Sequence, residues 1–219
     1  MQNKLVFVIL AGGKSERMGI NKGLLKYNQT YWILEQLNRI SKTNIKEIYI
    51  GLGFNFQHYF DAIPWLEKAQ INPIEFQGLD LKVIINKNPK LGSFSTLQNV
   101  LKNISEDRDI IMNPIDIPIL NSKELNKIIS EQNNVVIPNF EGKNGHPIKL
   151  GIDFWKNLCS LDLNDKSSRL DVQIKKINPN KISIIEVSDR VITLNINTKK
   201  DWKSFLEKNK VYFIIQTNL

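Results

Sequence analysis

Short runs of β-branched and aliphatic residues recur along the chain, with amphipathic stretches between them. The runs predict central strands at residues 5–10, 47–51, 82–85, 109–112 and 135–138. Apolar residues at spacings of three and four predict helices at residues 31–40, 94–104 and 123–129. Such alternation favours a mainly parallel sheet with helices on both faces.

The later part of the chain continues this pattern. Further segments fall at residues 154–161 and 168–177, a strand-like run at 182–187 and a helix near 200–208. The tail at residues 211–217 (VYFIIQT) is strand-like. Because the connections are too short to act as linkers, the sequence predicts a single domain over residues 1–219.

Composition indicates a globular protein of the cytoplasm. The 219 residues are 42% hydrophobic and 24% charged, as in ordinary folded domains. No apolar run approaches the roughly 18 residues of a membrane span, and the first apolar segment is too short for a signal peptide. A single cysteine, Cys159, excludes an intramolecular disulfide and favours a reducing compartment. We therefore expect a cytoplasmic protein with no membrane partner.

The formal charge of +8 favours anionic partners. Lysines are dispersed over the whole chain, without a basic cluster interleaved with aromatic residues or a recognisable nucleic-acid module. The charge therefore indicates an anionic small molecule such as an NTP. Only the net charge would support a nucleic-acid partner, and we do not expect one.

The most informative segment follows the first strand directly. Gly12 and Gly13 allow the backbone to approach a base or a phosphate closely. Lys14, Arg17 and Lys22 add three cations that can hold a triphosphate. The spacing excludes a P-loop, which needs glycine where Val8 stands, and also the dinucleotide motif GxGxxG.

The same segment, LAGGKSERMGINKGLL at residues 10–25, resembles the signature LAGGxSxRMGxxKxLL of the MobA-like NTP transferases. That family includes the molybdenum cofactor guanylyl- and cytidylyltransferases. The resemblance implies a three-layer α/β/α, Rossmann-like nucleotide-diphospho-sugar transferase fold with a mixed, mainly parallel sheet. It also implies NTP binding and nucleotidyl transfer.

The resemblance carries a set of site residues. Arg17 and Lys22 are expected to hold the phosphates and, with Asp116, to form the catalytic group. The nucleotide-binding candidates are Leu10, Ala11, Gly12, Gly13, Lys14, Ser15, Asn86 and Ser95.

A carboxylate between two prolines is the candidate metal ligand. In residues 113–118 (NPIDIP), Asp116 follows the strand predicted at 109–112 and corresponds to the aspartate of the family's DxP segment. Mg²⁺ prefers one or two carboxylates completed by phosphate oxygens and water. The alternative is a turn-forming aspartate bonded to its own backbone.

Two further segments resemble the same family. Residues 142–147 (GKNGHP) resemble its GxxGHP loop on the acceptor side, which makes His146 a substrate-binding candidate. A histidine before proline can equally shape the loop. Residues 195–202 (NINTKKDW) resemble the NINTPEDL element of the guanylyl type, and Asn197 is a second candidate metal ligand.

The subtype markers conflict. Residues 92–97 (GSFSTL) and 165–170 (DKSSRL) are closer to the cytidylyl type, so GTP and CTP both stay open. The predicted reaction is Mg²⁺-dependent transfer of NMP from an NTP to a small phosphorylated acceptor such as molybdopterin, with release of pyrophosphate. The alternatives are another phosphometabolite acceptor, such as a sugar phosphate, and a non-catalytic NTP-binding regulatory protein. A homo-oligomer stays open.

Overall fold

Strands and helices alternate through most of the protein. The structure is a computed structural model that describes residues 5–105 and 108–216, with side chains described up to residue 208. The strands are β1 (Val6–Ala11), β2 (Lys26–Tyr27), β3 (Thr30–Tyr31), β4 (Glu47–Leu52), β5 (Ile74–Phe76), β6 (Leu79–Ile85), β7 (Ile110–Pro114), β8 (Val135–Phe140), β9 (Lys143–Asn144), β10 (Ile148–Leu150) and β11 (Ile182–Glu186). The α-helices are α1 (Trp32–Ile40), α2 (Gln57–Ala62), α3 (Trp65–Lys68), α4 (Ser93–Leu101), α5 (Ser122–Ser130), α6 (Ile152–Leu158), α7 (Leu170–Lys175) and α8 (Lys199–Gln216).

Nine strands of the described residues form one mixed sheet. Its order is β11-β8-β10-β7-β1-β4-β6-β5, and β9 pairs with β8. The strand β1 is parallel to both β4 and β7, and β4 is parallel to β6. The short strands β10 and β5 are antiparallel to their neighbours. The carboxyl ends of β1, β4, β6 and β7 therefore meet at one edge, where open α/β sheets bind ligands.

Helices cover both faces of this sheet. Along β1, Val6 and Val8 face one buried cluster, and Phe7 and Ile9 face the other, because successive strand side chains alternate. The helices α4 and α6 pack into the first cluster, and α1, α5 and α8 pack into the second. The predicted three-layer arrangement with a mixed, mainly parallel sheet is confirmed.

Local sequence explains where these elements begin. All six residues of β1 are buried, as expected for a strand covered on both faces. The helix α5 begins after Asn121, whose side-chain oxygen accepts a 3.1 Å hydrogen bond from the backbone N–H of Glu124. This satisfies one of the free N–H groups of the first turn.

The C-terminal tail corrects one prediction. Residues 211–217 are predicted as strand, but the backbone continues α8 as far as Gln216, and Thr217 lies outside the described residues. A capping box starts this helix: Asp201 N–H donates to Thr198 Oγ1 (3.2 Å), and Thr198 N–H donates to Asp201 Oδ2 (2.8 Å).

Once nucleated, a helix gains one bond per added residue, so it can extend through residues of strand propensity. Although α8 has 18 residues, no helix among residues 5–105 and 108–216 is both long and apolar enough to cross a membrane.

Candidate active site

A cleft of about 1270 Å³ opens at the carboxyl edge of the sheet. Its walls are the loop after β1, the start of α4, the loop after β7, the segment before β10, the helix α7 and the segment before α8. Eleven of the thirteen predicted site residues line it: Leu10, Ala11, Gly12, Gly13, Lys14, Ser15, Arg17, Lys22, Asp116, His146 and Asn197. The fold thus brings together residues that are far apart in sequence.

The two glycines of the first loop have different surroundings. A Cβ at Gly12 would lie 2.6 Å from Thr96 Oγ1, and the Gly12 carbonyl accepts a 3.1 Å bond from Phe54 N–H. Gly12 therefore allows the loop to pack against α4 and the end of β4. A Cβ at Gly13 would meet no atom within 4 Å. Its missing side chain leaves the cleft wider at that point.

Three functional groups meet at Lys22. Its Nζ donates to Asp116 Oδ2 at 2.9 Å and to Asn197 Oδ1 at 2.7 Å. The side chains of Lys22 and Asp116 are 14% and 23% exposed, so this pair is only partly screened by solvent. By contrast, Lys14 is exposed and forms an ion pair with Glu16 in the same loop.

Backbone contacts hold Asp116 in place. Its carbonyl accepts a 2.9 Å bond from Ile196 N–H, which joins the loop after β7 to the segment that carries Asn197. The indole N–H of Trp32 donates to the Ile115 carbonyl (2.8 Å), and Asn113 Nδ2 donates to the carbonyls of Pro114 and Ile117. Asp116 is therefore fixed by its neighbours, beyond the rigidity of the flanking prolines.

The backbone on either side of Lys22 is also held. Asn21 Nδ2 donates to the Phe54 carbonyl at 3.2 Å, and Gly23 N–H donates to the Tyr59 hydroxyl at 3.3 Å. Asn21 and Tyr59 are buried, and burial raises the pKa of Tyr59. Sequence reasoning gave these two residues no role, because their contacts span more than 30 positions.

Asn197 is positioned by the start of α8. Its backbone N–H donates to Asp201 Oδ2 at 3.0 Å. Hydrogen bonds from Thr198 and from the N–H of Asn197 lower the pKa of Asp201, which favours the charged carboxylate at this helix start. The spacing Thr198-x-x-Asp201 is a readable capping signal, so this support could have been found in the sequence.

His146 lies in the cleft and is predominantly neutral at pH 7. Burial lowers its pKa to about 4, although the negative charge of Asp116 opposes the shift. A cis peptide bond joins it to Pro147, and its backbone N–H donates to the Ile192 carbonyl at 3.3 Å. The imidazole can therefore exchange hydrogen bonds with a ligand but does not supply a cation.

The cleft lining also includes charged side chains that were not predicted as site residues. Arg169 and Lys175 line the cleft, together with Asp171, to which Arg169 Nε donates at 3.0 Å. With Lys14, Arg17 and Lys22, five cationic side chains of the described residues line the cleft against three carboxylates. This excess of positive charge suits a polyanionic ligand.

Asn86 and Ser95 lie beneath the cleft rather than on its lining. Asn86 Nδ2 donates to Ser95 Oγ at 2.7 Å and to Thr96 Oγ1 at 3.0 Å, and both Asn86 and Ser95 are buried. Asn86 also borders a separate hollow with Phe54 and Pro89. Their contact with a nucleotide stays a prediction; in this structure they hold Thr96 against Gly12.

The oxygens of Asp116 and Asn197 fit a magnesium ion that shares its ligands with phosphates. One carboxylate and one amide oxygen are hard donors of the kind that Mg²⁺ takes from proteins. The described residues contain no group of three or more His, Cys, Asp or Glu side chains arranged for a metal. The rest of the coordination shell would therefore come from a ligand and water.

The fold and the cleft define a class first. A three-layer α/β protein with a basic, glycine-containing loop and a carboxylate at the carboxyl edge of its sheet belongs among nucleotide-binding proteins. The chain belongs, more narrowly, to the family described as the MobA-like NTP transferase domain, which matches residues 7–175.

Known proteins agree with that assignment. A probable molybdenum cofactor guanylyltransferase of Clostridium perfringens is 25% identical over 212 residues, which is 93% of this chain and 96% of that protein. A manganese complex of Rv0371C from Mycobacterium tuberculosis superimposes with a TM-score of 0.70 at 18% identity, covering 94% of this chain and all of the other. The molybdopterin-guanine dinucleotide biosynthesis protein A of Archaeoglobus fulgidus gives a TM-score of 0.64 at 15% identity, covering 94% and 98%.

Proposed function

We propose that this protein transfers GMP from GTP to molybdopterin and releases pyrophosphate, with a divalent cation bound at Asp116 and Asn197. The main support for this proposal is the contact of Lys22 Nζ with both of these side chains, inside a cleft with an excess of positive charge. The relationship to a probable guanylyltransferase favours GTP over CTP. The cytidylyl-like residues 92–97 and 165–170 leave CTP as the second base to test.

The reaction is an in-line displacement at the α-phosphorus. An oxygen of the acceptor phosphate forms the new bond, and the bond to the bridging oxygen of pyrophosphate breaks, with the electron pair leaving on pyrophosphate. Because a phosphate monoester has its second pKa near about 6, it is mostly ionised at neutral pH and needs no general base. Catalysis then depends on positioning and on charge.

The chain's own residues supply both. Lys22 neutralises charge on the α-phosphate, and Arg17 and Lys14 hold the remaining phosphates from the loop after β1. Gly12 fixes that loop against Thr96, and Gly13 keeps its surface open. Asp116 and Asn197 would hold Mg²⁺, which would supply positive charge to offset the negative charge of the phosphates.

The part of the lining that carries Arg169, Lys175 and His146 is the acceptor side in this proposal. Arg169 and Lys175 offer positive charge to an acceptor phosphate, and the neutral His146 offers a hydrogen bond. A sugar phosphate carries the same phosphate, so it is the alternative acceptor. The basic loop also fits a non-catalytic protein that binds NTP. A measurement of turnover distinguishes this alternative from the transferase. We still expect a single domain in a reducing cytosol. The oligomeric state stays open.

Pyrophosphate release tests the proposal. Each of the four NTPs is incubated with Mg²⁺ and with molybdopterin or a panel of sugar phosphates. Release is expected with GTP and molybdopterin; it should fall by about a hundredfold or more in Lys22→Met and be retained in Lys42→Met, which changes an exposed lysine between α1 and β4. Release with a sugar phosphate alone would reassign the acceptor, and NTP binding without release from any pair would favour the regulatory reading.

A further inference from the structure

The ammonium of Lys22 lies between the two oxygens that would hold the metal. Its Nζ is 2.9 Å from Asp116 Oδ2 and 2.7 Å from Asn197 Oδ1. Both atoms accept from the same donor, so this arrangement neutralises Asp116 and satisfies the amide oxygen. The site therefore already contains a cation that belongs to the chain.

A divalent cation cannot join this arrangement without displacing the ammonium. Magnesium binds oxygen at about 2.0–2.1 Å, so an ion on these two oxygens would lie within a few ångströms of Nζ. Two like charges at such a distance repel strongly in a partly buried site. Free metal ion and Lys22 ammonium therefore compete for the same two ligands.

A nucleotide offers Lys22 another partner. Lys22 lines the cleft beside Arg17 and the loop after β1, where the negative charge of a triphosphate would be held. The backbone of Lys22 is fixed by the bonds of Asn21 and Gly23, so only its flexible side chain has to move. Movement of the ammonium onto phosphate would free Asp116 and Asn197 for the metal.

We propose that Lys22 is a built-in counter-cation that keeps free divalent ions off Asp116 and Asn197 until nucleotide phosphates draw it away. Metal binding is thereby coupled to nucleotide binding. This inference rests on the proposed function, because it takes the bound nucleotide and its metal from there. It concerns a step that precedes any chemistry.

Mn²⁺ titration of the nucleotide-free, full-length protein tests this coupling. Electron paramagnetic resonance of free Mn²⁺ measures the dissociation constant without any turnover. Lys22→Met is expected to bind Mn²⁺ about tenfold or more tightly than wild type, because a like charge beside the site is removed. Lys22→Gln gives a second neutral variant if methionine perturbs folding, and circular dichroism checks both.

Two controls locate the effect. Lys42→Met removes an exposed lysine between α1 and β4 that does not line the cleft, so its Mn²⁺ affinity should match wild type. The double variant Lys22→Met/Asp116→Asn should lose the gain. Equal affinity in wild type, Lys22→Met and Lys22→Gln would overturn the proposal, as would the same gain in Lys42→Met or its persistence in the double variant.

The outcome is separable from that of the transfer assay. Pyrophosphate release without any gain in Mn²⁺ affinity would leave the transferase standing and remove the counter-cation role. A gain in affinity without release from any NTP and acceptor would do the reverse, because the Mn²⁺ titration involves no nucleotide.

Discussion

A half-buried lysine, Lys22, and a buried lysine, Lys149, lie at opposite ends of the sheet and have different partners. At the cleft end, Lys22 contacts two side-chain oxygens. At the other end, Lys149 of β10 donates to the backbone carbonyls of Glu131 and Ile129 (3.5 Å for Ile129), beside Asp109 at 3.8 Å. Burial lowers the pKa of Lys149.

The two lysines have different roles: the contacts of Lys149 are structural, and those of Lys22 belong to the candidate site. Lys149 neutralises the negative end of α5, where the last carbonyls of a helix lack partners, and it faces no cleft lining. Its partners are two main-chain carbonyls and the carboxylate of Asp109, and none of these residues lines the cleft. Lys22 borders an open cleft and has partners that a ligand can claim. Burial of a charged side chain therefore does not by itself indicate a site; the accessibility of its partners to a ligand does.

The largest expected effect is on turnover in Lys22→Met. We expect kcat to fall by about a hundredfold to a thousandfold, as for the loss of one group that stabilises transition-state charge. Steady-state pyrophosphate release measures it, with thermal unfolding as the control for folding. A Lys22→Met variant with wild-type kcat would contradict the catalytic role of Lys22.

A pH effect is expected at the cleft end. Burial lowers the pKa of His146 to about 4 in the folded protein, against about 6.5 for an exposed histidine. Between these pH values the unfolded chain binds a proton that the folded protein does not, so stability is complete above pH 6.5 and is lost as the pH falls towards 4.

His146→Gln should remove about 2–3 kcal/mol of that pH dependence. Urea unfolding of both proteins at pH 4.5, 5.5 and 7 measures it. Parallel pH profiles for wild type and variant would contradict the burial of the imidazole.

Lys149→Met should act on stability alone. Removing the ammonium leaves the carbonyls of Ile129 and Glu131 and the nearby carboxylate of Asp109 without this cation, which lowers the free energy of unfolding by about 2 kcal/mol. We expect kcat to be unchanged at temperatures where the variant is folded. Urea unfolding and the pyrophosphate assay are run together, and a fall in kcat without a loss of stability would show that the two ends of the sheet are coupled.

The smallest effect is expected in Tyr59→Phe, which tests whether the Tyr59 hydroxyl positions Lys22 through Gly23. Without its hydroxyl, the buried Gly23 N–H loses its acceptor, at a cost of about 1 kcal/mol in stability. A several-fold fall in kcat with little change in the KM for NTP would indicate that the hydroxyl positions Lys22. Lost stability with unchanged kcat would restrict Tyr59 to a structural role.

Sequence reasoning was strongest for the features that depend on local pattern. The strands around β1, β4, β6, β7 and β8 and the helices α1, α4 and α5 follow from their apolar spacing. The loop after β1 and Asp116 were found through a contiguous motif. The strand prediction for the C-terminal tail was wrong because its β-branched residues continue a helix that begins at the Thr198 cap.

The supporting contacts could not be read from the sequence. Tyr59 reaches Gly23 across 36 positions, and Trp32 reaches Ile115 across 83. Such pairs depend on which strands become neighbours in the sheet. Arg169 is similar: its segment was noted as a subtype marker, but its place on the wall of the cleft depends on how α7 packs.

The bond from the Trp32 indole to the Ile115 carbonyl has an optical consequence. Trp32 stacks edge to face with Trp202 at 5.3 Å, and Trp202 lies in the first turn of α8, just beyond Asn197. Both segments that carry the oxygens around Lys22 are therefore adjacent to an indole. With Trp65 and Trp155 replaced by phenylalanine, the emission of the remaining pair would report occupancy of the cleft directly, without a label.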